Sequence, residues 1–250
     1  MKVSIDTLVS IITVVYNGEK YLEQTIHSVI NQSYPAIEYI VIDGGSTDGS
    51  VEIIQTYQAS ISFWQSEPDN GIADAMNKAL NHAQGEYIVF IHADDYLVDN
   101  RIIEKVMQKA NGEDIFIGNI IFGRNLKRLT PRGFNFWMNF KTGVYHQAAF
   151  CHRRVFERIG GFDTGFKIAM DYDFFLRAYR AGFKVKKIDQ VISVMRDTGV
   201  SSQTGWPSLK QRFMEERRVH EKNSHGFLRV LYRLYWWLYL PYRKLMTCLA

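Results

Sequence analysis

Four short apolar runs in the first hundred residues each stop at a polar cluster, and helical spacing fills the gaps between them. Leu8 to Val15 (LVSIITVV) is β-branched and reads as a buried strand ending at Tyr16-Asn17-Gly18. Glu19 to Asn31 then places Tyr21, Leu22, Ile26, Val29 and Ile30 on one side of a helix. Tyr39 to Ile42 is a second strand, ending at Asp43-Gly44-Gly45-Ser46, and Asp48 can cap the helix that carries Val51, Ile53, Ile54 and Tyr57. Ile61 to Trp64 is a third strand, Ile72 to Ala83 a helix with Gly85 at its stop, and Tyr87 to Ile91 a fourth strand running into His92-Ala93-Asp94-Asp95. This alternation predicts βαβ units and an α/β fold with a mostly parallel sheet. Ligands of such sheets bind beyond the carboxyl ends of the strands. Asn17, Asp43, Glu67 and the Asp94-Asp95 pair are therefore expected to converge on one rim.

The second half is less regular. Ile115 to Ile121 and Gly143 to Cys151 read as strands, Gly160 to Asp163 as a turn, Asp171 to Ala181 as a helix, and Val185 to Met195 as one strand or two. At 250 residues the chain can bury a full core without disulfides, and Cys151 and Cys248 lack the spacing of a disulfide framework or a thiolate zinc site. Residues 205–250 hold nine Lys/Arg against three Asp/Glu, whereas residues 1–204 hold 21 against 23. A nucleic-acid footprint over the body is not indicated. Asp6 breaks any apolar leader at the start, and no run reaches the ~18 apolar residues of a bilayer span.

Three clusters carry chemistry. Asp94 and Asp95 repel one another at the mouth of a buried strand, a conflict that a hard divalent ion such as Mg²⁺ or Mn²⁺ relieves while bridging to substrate phosphates; a solvated turn is the alternative. Asp43-Gly-Gly-Ser-Thr-Asp-Gly allows close backbone approach to a ligand and offers Asp43 to a base or ribose, or is a turn with a cap. It is neither a P-loop nor the dinucleotide fingerprint. Asp171-Tyr172-Asp173 opens a helix, where a carboxylate is held ionised and suits a general base, or simply caps. His146 is read first as a core or surface histidine and second as a metal contact.

Together these segments resemble glycosyltransferase family 2, inverting enzymes of the GT-A (Rossmann-like) fold, over about residues 8 to 202. The matching text is VSIITVVYNGEKYLEQTIHSVINQSY, YIVIDGGSTDGS, SEPDNGIADAMNKAL, GEYIVFIHADD, IGGFD and MDYDFFLRA, in that order. Bacterial members that build colanic-acid-type, capsular or O-antigen polysaccharide are the most similar. The resemblance implies that Val14, Tyr16 and Asn17 lie beside the nucleotide base and that Asp43 lies on the uracil and ribose side, with Glu67 and Asp69 after the third strand. It implies that Asp95 holds the metal, with Asp94 facing the ribose or the metal shell, and that Asp171 is the catalytic base. Asp173 and Asp163 are the substitutes for that base. The chain has Met170-Asp171 where the family often has Glu-Asp, and His92 where relatives often have Asp or Asn. The implied cofactor is Mn²⁺ or Mg²⁺. The implied donor is a nucleotide sugar, a UDP-sugar first and a GDP-sugar second, and the acceptor a glycan or lipid-linked saccharide. A polyprenyl-phosphate sugar transferase and a non-catalytic nucleotide-binding or assembly partner are the rival readings.

The expected division is a GT-A domain over 1–204, nucleotide side to about 100 and acceptor side beyond it, followed by a helical tail over 205–250. In the tail, Phe227, Tyr232, Tyr235, Trp236, Trp237, Tyr239 and Tyr242 accompany Arg229, Arg233, Arg243 and Lys244. Basic residues with Trp and Tyr suit an anionic membrane surface, which would place the protein in the cytoplasm, peripheral on the inner face of the membrane. Packing on the body or on another subunit is the alternative.

Overall fold

A computed structural model describes residues 7–199 and 205–249, with the side chains of 248 and 249 left aside. The chain runs β1 (Val9–Val15), α1 (Glu19–Ile30), β2 (Ile37–Asp43), α2 (Ser50–Thr56), β3 (Phe63–Ser66), α3 (Ile72–His82) and β4 (Tyr87–Phe90). It continues through β5 (Tyr96–Leu97), α4 (Ile102–Met107), β6 (Ile115–Phe122), β7 (Lys127–Leu129), β8 (Ala149–His152), α5 (Arg153–Ile159), α6 (Met170–Arg180) and β9 (Val185–Met195). Two helices close it, α7 (Trp206–Lys222) and α8 (Gly226–Leu249).

The strands form one sheet in the order β3-β2-β1-β4-β8-β6-β9-β5, with β7 on β6. The first four are parallel, in register Val9↔Ile37, Ile40↔Phe63 and Val9↔Tyr87. Strand order reverses beside β1, so the crevice between the ends of β1 and β4 is a topological switch point. Beyond β4 the sheet is mixed: β8 runs antiparallel to β4 and β6, while β6 and β9 are parallel. The parallel character is thus a property of the first half, where each crossover has a helix long enough to return the chain.

All of β1 is buried, which explains its continuous apolar sequence. Ile12 and Val14 face the layer of α3, α5 and α6 with Met76 and Phe174; Ile11 and Val15 face the layer of α1, α2 and α4 with Leu22 and Ile103. Each such side chain contributes roughly 1.5–3 kcal/mol on burial. The predicted strand over 143–151 is realised only at its end. His146–Ala148 forms a short 3₁₀ turn before β8, which puts His146 and Gln147 at the rim instead of in a ladder. Val185 to Met195 is one strand whose pairing with β6 shifts register near Asn119. The short β5 and α4 carry no sequence signal as sharp as the first four strands.

The boundary expected near residue 204 lies outside the described residues. On its far side, α7 docks on the body. Buried Glu215 accepts three backbone N–H bonds through Oε2, from Lys167 (3.0 Å), Ile168 (2.7 Å) and Ala169 (3.0 Å), just before α6. The α8 helix packs on α7 through Phe213, Tyr232 and Trp236. Among the described residues no helix is long and apolar enough to cross a membrane.

Candidate active site

The loops beyond β1, β2 and β3 are tied into one rim. Asn17 sits in the left-handed region at φ 51, a conformation Asn tolerates better than most side chains. Its Oδ1 accepts from the Thr47 N–H (2.9 Å), and its own N–H donates to the Ser46 hydroxyl (2.8 Å). Asp43 is wholly buried. Its Oδ2 accepts from the N–H groups of Gly45 (3.0 Å) and Ser46 (2.9 Å) and from the Ser66 hydroxyl (2.7 Å), while Oδ1 accepts from the Ser46 hydroxyl. Its hydrogen bonds are therefore made within the rim itself. Gly45 has φ +81, a conformation that favours glycine, and a Cβ on Gly44 would stand 2.4 Å from Asp69 Oδ2, so that carboxylate would have to shift.

Glu67 pairs with Lys78 at 2.7 Å, and that lysine holds its carboxyl below the usual range. Asp69 Oδ1 accepts from the Gly71 N–H at 2.7 Å. Tyr16 projects from the rim, 66 % exposed. Val14 is buried in the core, and its carbonyl accepts from the Ala93 N–H at 3.3 Å.

Beyond β4, Asp95 is 1 % exposed while Asp94 is half-buried. The Thr25 hydroxyl of α1 lies 2.9 Å from the Ala93 carbonyl and 2.6 Å from that of Asp95, which fixes the turn. Burial, then the neighbouring Asp94 charge, push the Asp95 carboxyl up to about 7. His146, the Gln147 side chain and the Arg196 N–H (3.2 Å) offset this only in part. Asp94 Oδ2 accepts from the Thr198 hydroxyl (3.0 Å). Among the described residues no group of three or more His, Cys, Asp or Glu side chains is assembled to hold a metal. The donor set still fits Mg²⁺ or Mn²⁺, which take one or two carboxylates and complete their shell with water and phosphate.

Asp171 lies in the first turn of α6. Its Oδ1 accepts from the Tyr172 N–H (2.7 Å), and its Oδ2 is 3.4 Å from His146 Nδ1. The His146 ring lies 4.7 Å from that of His92, centroid to centroid. Burial keeps the His92 imidazole uncharged. His146 thus neighbours both Asp171 and Asp95, and the Gln147 side chain beside it bonds to Asp95. The substitutes for the base are engaged elsewhere. Asp173 is fully buried against Arg177 (2.8 Å), Lys222 (3.1 Å) and Asn223 (2.8 Å), and Asp163 pairs with Lys222 (2.7 Å).

Residues 10–182 match the sequence profile described as glycosyl transferase family 2. The chain belongs to that family. An uncharacterized glycosyltransferase of Mycobacterium tuberculosis is 34% identical over 180 residues, covering 68% of each protein. A Bacillus subtilis glycosyltransferase named for teichuronic acid biosynthesis, TuaG, is 46% identical over 91 residues, 35% of this chain and 36% of that one. Two solved structures share the GT-A fold. TarS of S. aureus in complex with UDP-GlcNAc has a TM-score of 0.67 at 17% identity, covering 90% of this chain and 69% of that one. The mannosyltransferase PcManGT of Pyrobaculum calidifontis in complex with GDP-Man and Mn²⁺ has a TM-score of 0.67 at 20% identity, covering 96% and 72%.

Several residues of this family 2 site escape sequence reasoning. Arg196 donates to the Asp94 carbonyl and to Gln24, and its guanidinium lies 4.2 Å from the Tyr21 ring centroid and 4.9 Å from that of Tyr96. Arg196-Asp197-Thr198 follows a strand end, so the rule that located Asp43 and Asp94 also reaches this cluster. Gln147 and Glu215 have no such local mark.

Proposed function

We propose that this family 2 glycosyltransferase moves a sugar from a nucleotide-sugar donor to a hydroxyl of a glycan or lipid-linked acceptor, with inversion and with a divalent ion, in cell-surface polysaccharide synthesis. One observation carries the reading: a buried carboxylate short of positive charge, Asp95, and a second carboxylate, Asp171, share His146 as a neighbour. The rim of Tyr16, Asn17, Asp43, Glu67 and Asp69 takes the nucleotide; Asp43 reaches a base or ribose when Ser46 exchanges its hydrogen bond. UDP-sugars are the first candidates and GDP-sugars the second, in keeping with the donors bound by the two solved relatives. The polysaccharide setting draws on the relative named for teichuronic acid.

In the mechanism, Asp171 accepts the proton of the acceptor hydroxyl. The oxygen's electron pair forms the new bond to the anomeric carbon, and the bond to the diphosphate breaks with its electrons leaving on the nucleotide. One displacement inverts the centre and needs no covalent enzyme intermediate. Asp95 and Asp94 would hold Mn²⁺ or Mg²⁺, which supplies charge neutralisation at the departing diphosphate. Thr25 fixes the backbone of the turn, Gln147 and the Arg196 N–H hold the Asp95 carboxylate, and Thr198 holds that of Asp94.

The outer face of α8 supports a peripheral position on an anionic, cytoplasm-facing membrane. Phe227, Leu234, Trp237, Leu238 and Leu245 are exposed there, opposite the Tyr232 and Trp236 face that packs on α7, with Arg233 and Lys244 along one flank. The test of the enzymatic reading is a panel of nucleotide sugars with Mn²⁺, scored for nucleotide release on adding undecaprenyl-linked saccharide acceptors. Stabilisation by UDP or GDP without release from any donor would favour a binding partner over an enzyme.

A further inference from the structure

We infer that His146 is a positioning residue for Asp171, holding that carboxylate in one orientation through an Nδ1–H bond to Oδ2. The inference rests on the reading of Asp171 as the base. Three observations carry it. His146 Nδ1 is 3.4 Å from Asp171 Oδ2, while Tyr172 N–H engages Oδ1 at 2.7 Å, so each carboxylate oxygen has one protein donor. Two donors on different oxygens fix the plane of the carboxylate and leave lone pairs on both for an incoming hydroxyl. Hydrogen bonds between catalytic groups often tighten from such a length in the reacting complex.

The imidazole is itself held. Its side chain is 18% exposed, its ring lies against His92, and it stands on a 3₁₀ turn whose Gln147 and Ala148 are buried. Finally, His146 Nε2 is shut off from solvent with no hydrogen-bond partner among the described residues. A buried N–H without an acceptor is costly, so the proton belongs on Nδ1, where a carboxylate receives it. His146, which the sequence offered as a metal contact, thereby spends one ring nitrogen on the base. The other remains the only one through which it could reach an ion.

The test uses the full chain and three variants. His146→Asn keeps an amide donor near the place of Nδ1, His146→Phe keeps the ring without a donor, and Asp171→Asn removes the base. With the best UDP-sugar of the panel and Mn²⁺, His146→Phe should lower kcat at least about tenfold, short of the roughly 10²–10⁴-fold expected for loss of the base. KM for the donor and Mn²⁺-dependent UDP binding should stay unchanged, and His146→Asn should recover most of the rate. In the Asp171→Asn background His146→Phe should cost nothing further. Equal losses in the Asn and Phe variants, additive losses with Asp171→Asn, or loss of Mn²⁺-dependent UDP binding in His146→Phe would overturn the assignment, the last making His146 a metal ligand.

A long-range ¹H–¹⁵N spectrum provides a readout free of substrate, with the His146 signals identified by their absence in His146→Asn. The proton is expected on Nδ1; a proton found on Nε2 contradicts the inference even if no donor turns over. If instead Asp171→Asn leaves UDP release unchanged, the reading of Asp171 as the base fails, and the tautomer result shows separately whether the His146 hydrogen bond exists.

Discussion

Replacing Asp95 by Asn should make the metal-free protein more stable at alkaline pH while abolishing its metal-linked nucleotide binding. The side chain is 1 % exposed, and burial together with Asp94 pushes its carboxyl from 3.8 to about 7. At about 1.4 kcal/mol for each tenfold change, that displacement disfavours the ionised form by about 4 kcal/mol. The folded protein holds this proton more tightly than the unfolded chain. The stability it contributes is therefore complete below about pH 4, declines as pH rises toward 7, and is gone above. Asn has nearly the same shape, still accepts from the Arg196 N–H, and does not titrate. Wild type and variant should thus unfold alike near pH 4 and diverge by up to about 4 kcal/mol at pH 8, a Tm difference on the order of 10 °C for a chain of this size. Calorimetric melts in EDTA from pH 4 to 8 measure the gap. UDP with Mn²⁺ should stabilise wild type at pH 8 and leave the variant unmoved. Parallel stability profiles for the two proteins across that range would refute the claim that Asp95 is a buried carboxylate lacking a counter-charge.

Asp94→Asn removes the like charge beside Asp95, so the rise of Mn²⁺-dependent UDP affinity with pH should begin at lower pH than in wild type; titration calorimetry at pH 5.5 to 8 reads the shift, and an unchanged onset contradicts the coupling. Glu215→Ala strips the acceptor from three backbone N–H groups ahead of α6, which should cost on the order of 3–5 kcal/mol in urea unfolding; a loss below 1 kcal/mol, about the worth of a single hydrogen bond, counts against the role given to α7. Leu234→Glu with Trp237→Glu alters only the outer face of α8. Co-sedimentation with anionic vesicles should fall severalfold while the melting temperature holds, and equal vesicle binding would remove α8 as the membrane contact.

The first hundred residues were legible because their local signals are strong and agree with one another. Continuous β-branched runs became the parallel strands β1, β2 and β4, and each polar cluster at a strand end landed on the rim. The turn chemistry of Asp43-Gly44-Gly45 was also legible as a need for positive φ, now seen at Gly45. What the sequence concealed was how those carboxylates are used. Asp43 reads as a ligand-facing acid, yet its oxygens bind Gly45, Ser46 and Ser66, because partners 23 residues away leave no mark on local pattern. The second half was harder for the same reason. Apolar character over 143–151 resembles a strand, but tertiary packing turns residues 146–148 into a single 3₁₀ turn that aims His146 at Asp171. Likewise α7 reads as a basic tail helix, while Glu215, His220 and Lys222 bind it to α6 through contacts nearly fifty residues away in the chain.

The central claim is that Asp171 takes the acceptor proton in an inverting transfer, separately from the metal-linked nucleotide site. The most direct measurement is single-turnover transfer by wild type and Asp171→Asn with a donor and acceptor identified from the panel, alongside UDP affinity in Mn²⁺ and the anomeric configuration of the product by NMR. The account predicts an inverted product, a transfer rate reduced by roughly 10²–10⁴-fold in Asp171→Asn, and UDP affinity unchanged. Near-normal transfer by Asp171→Asn, or a product with retained configuration, would contradict it.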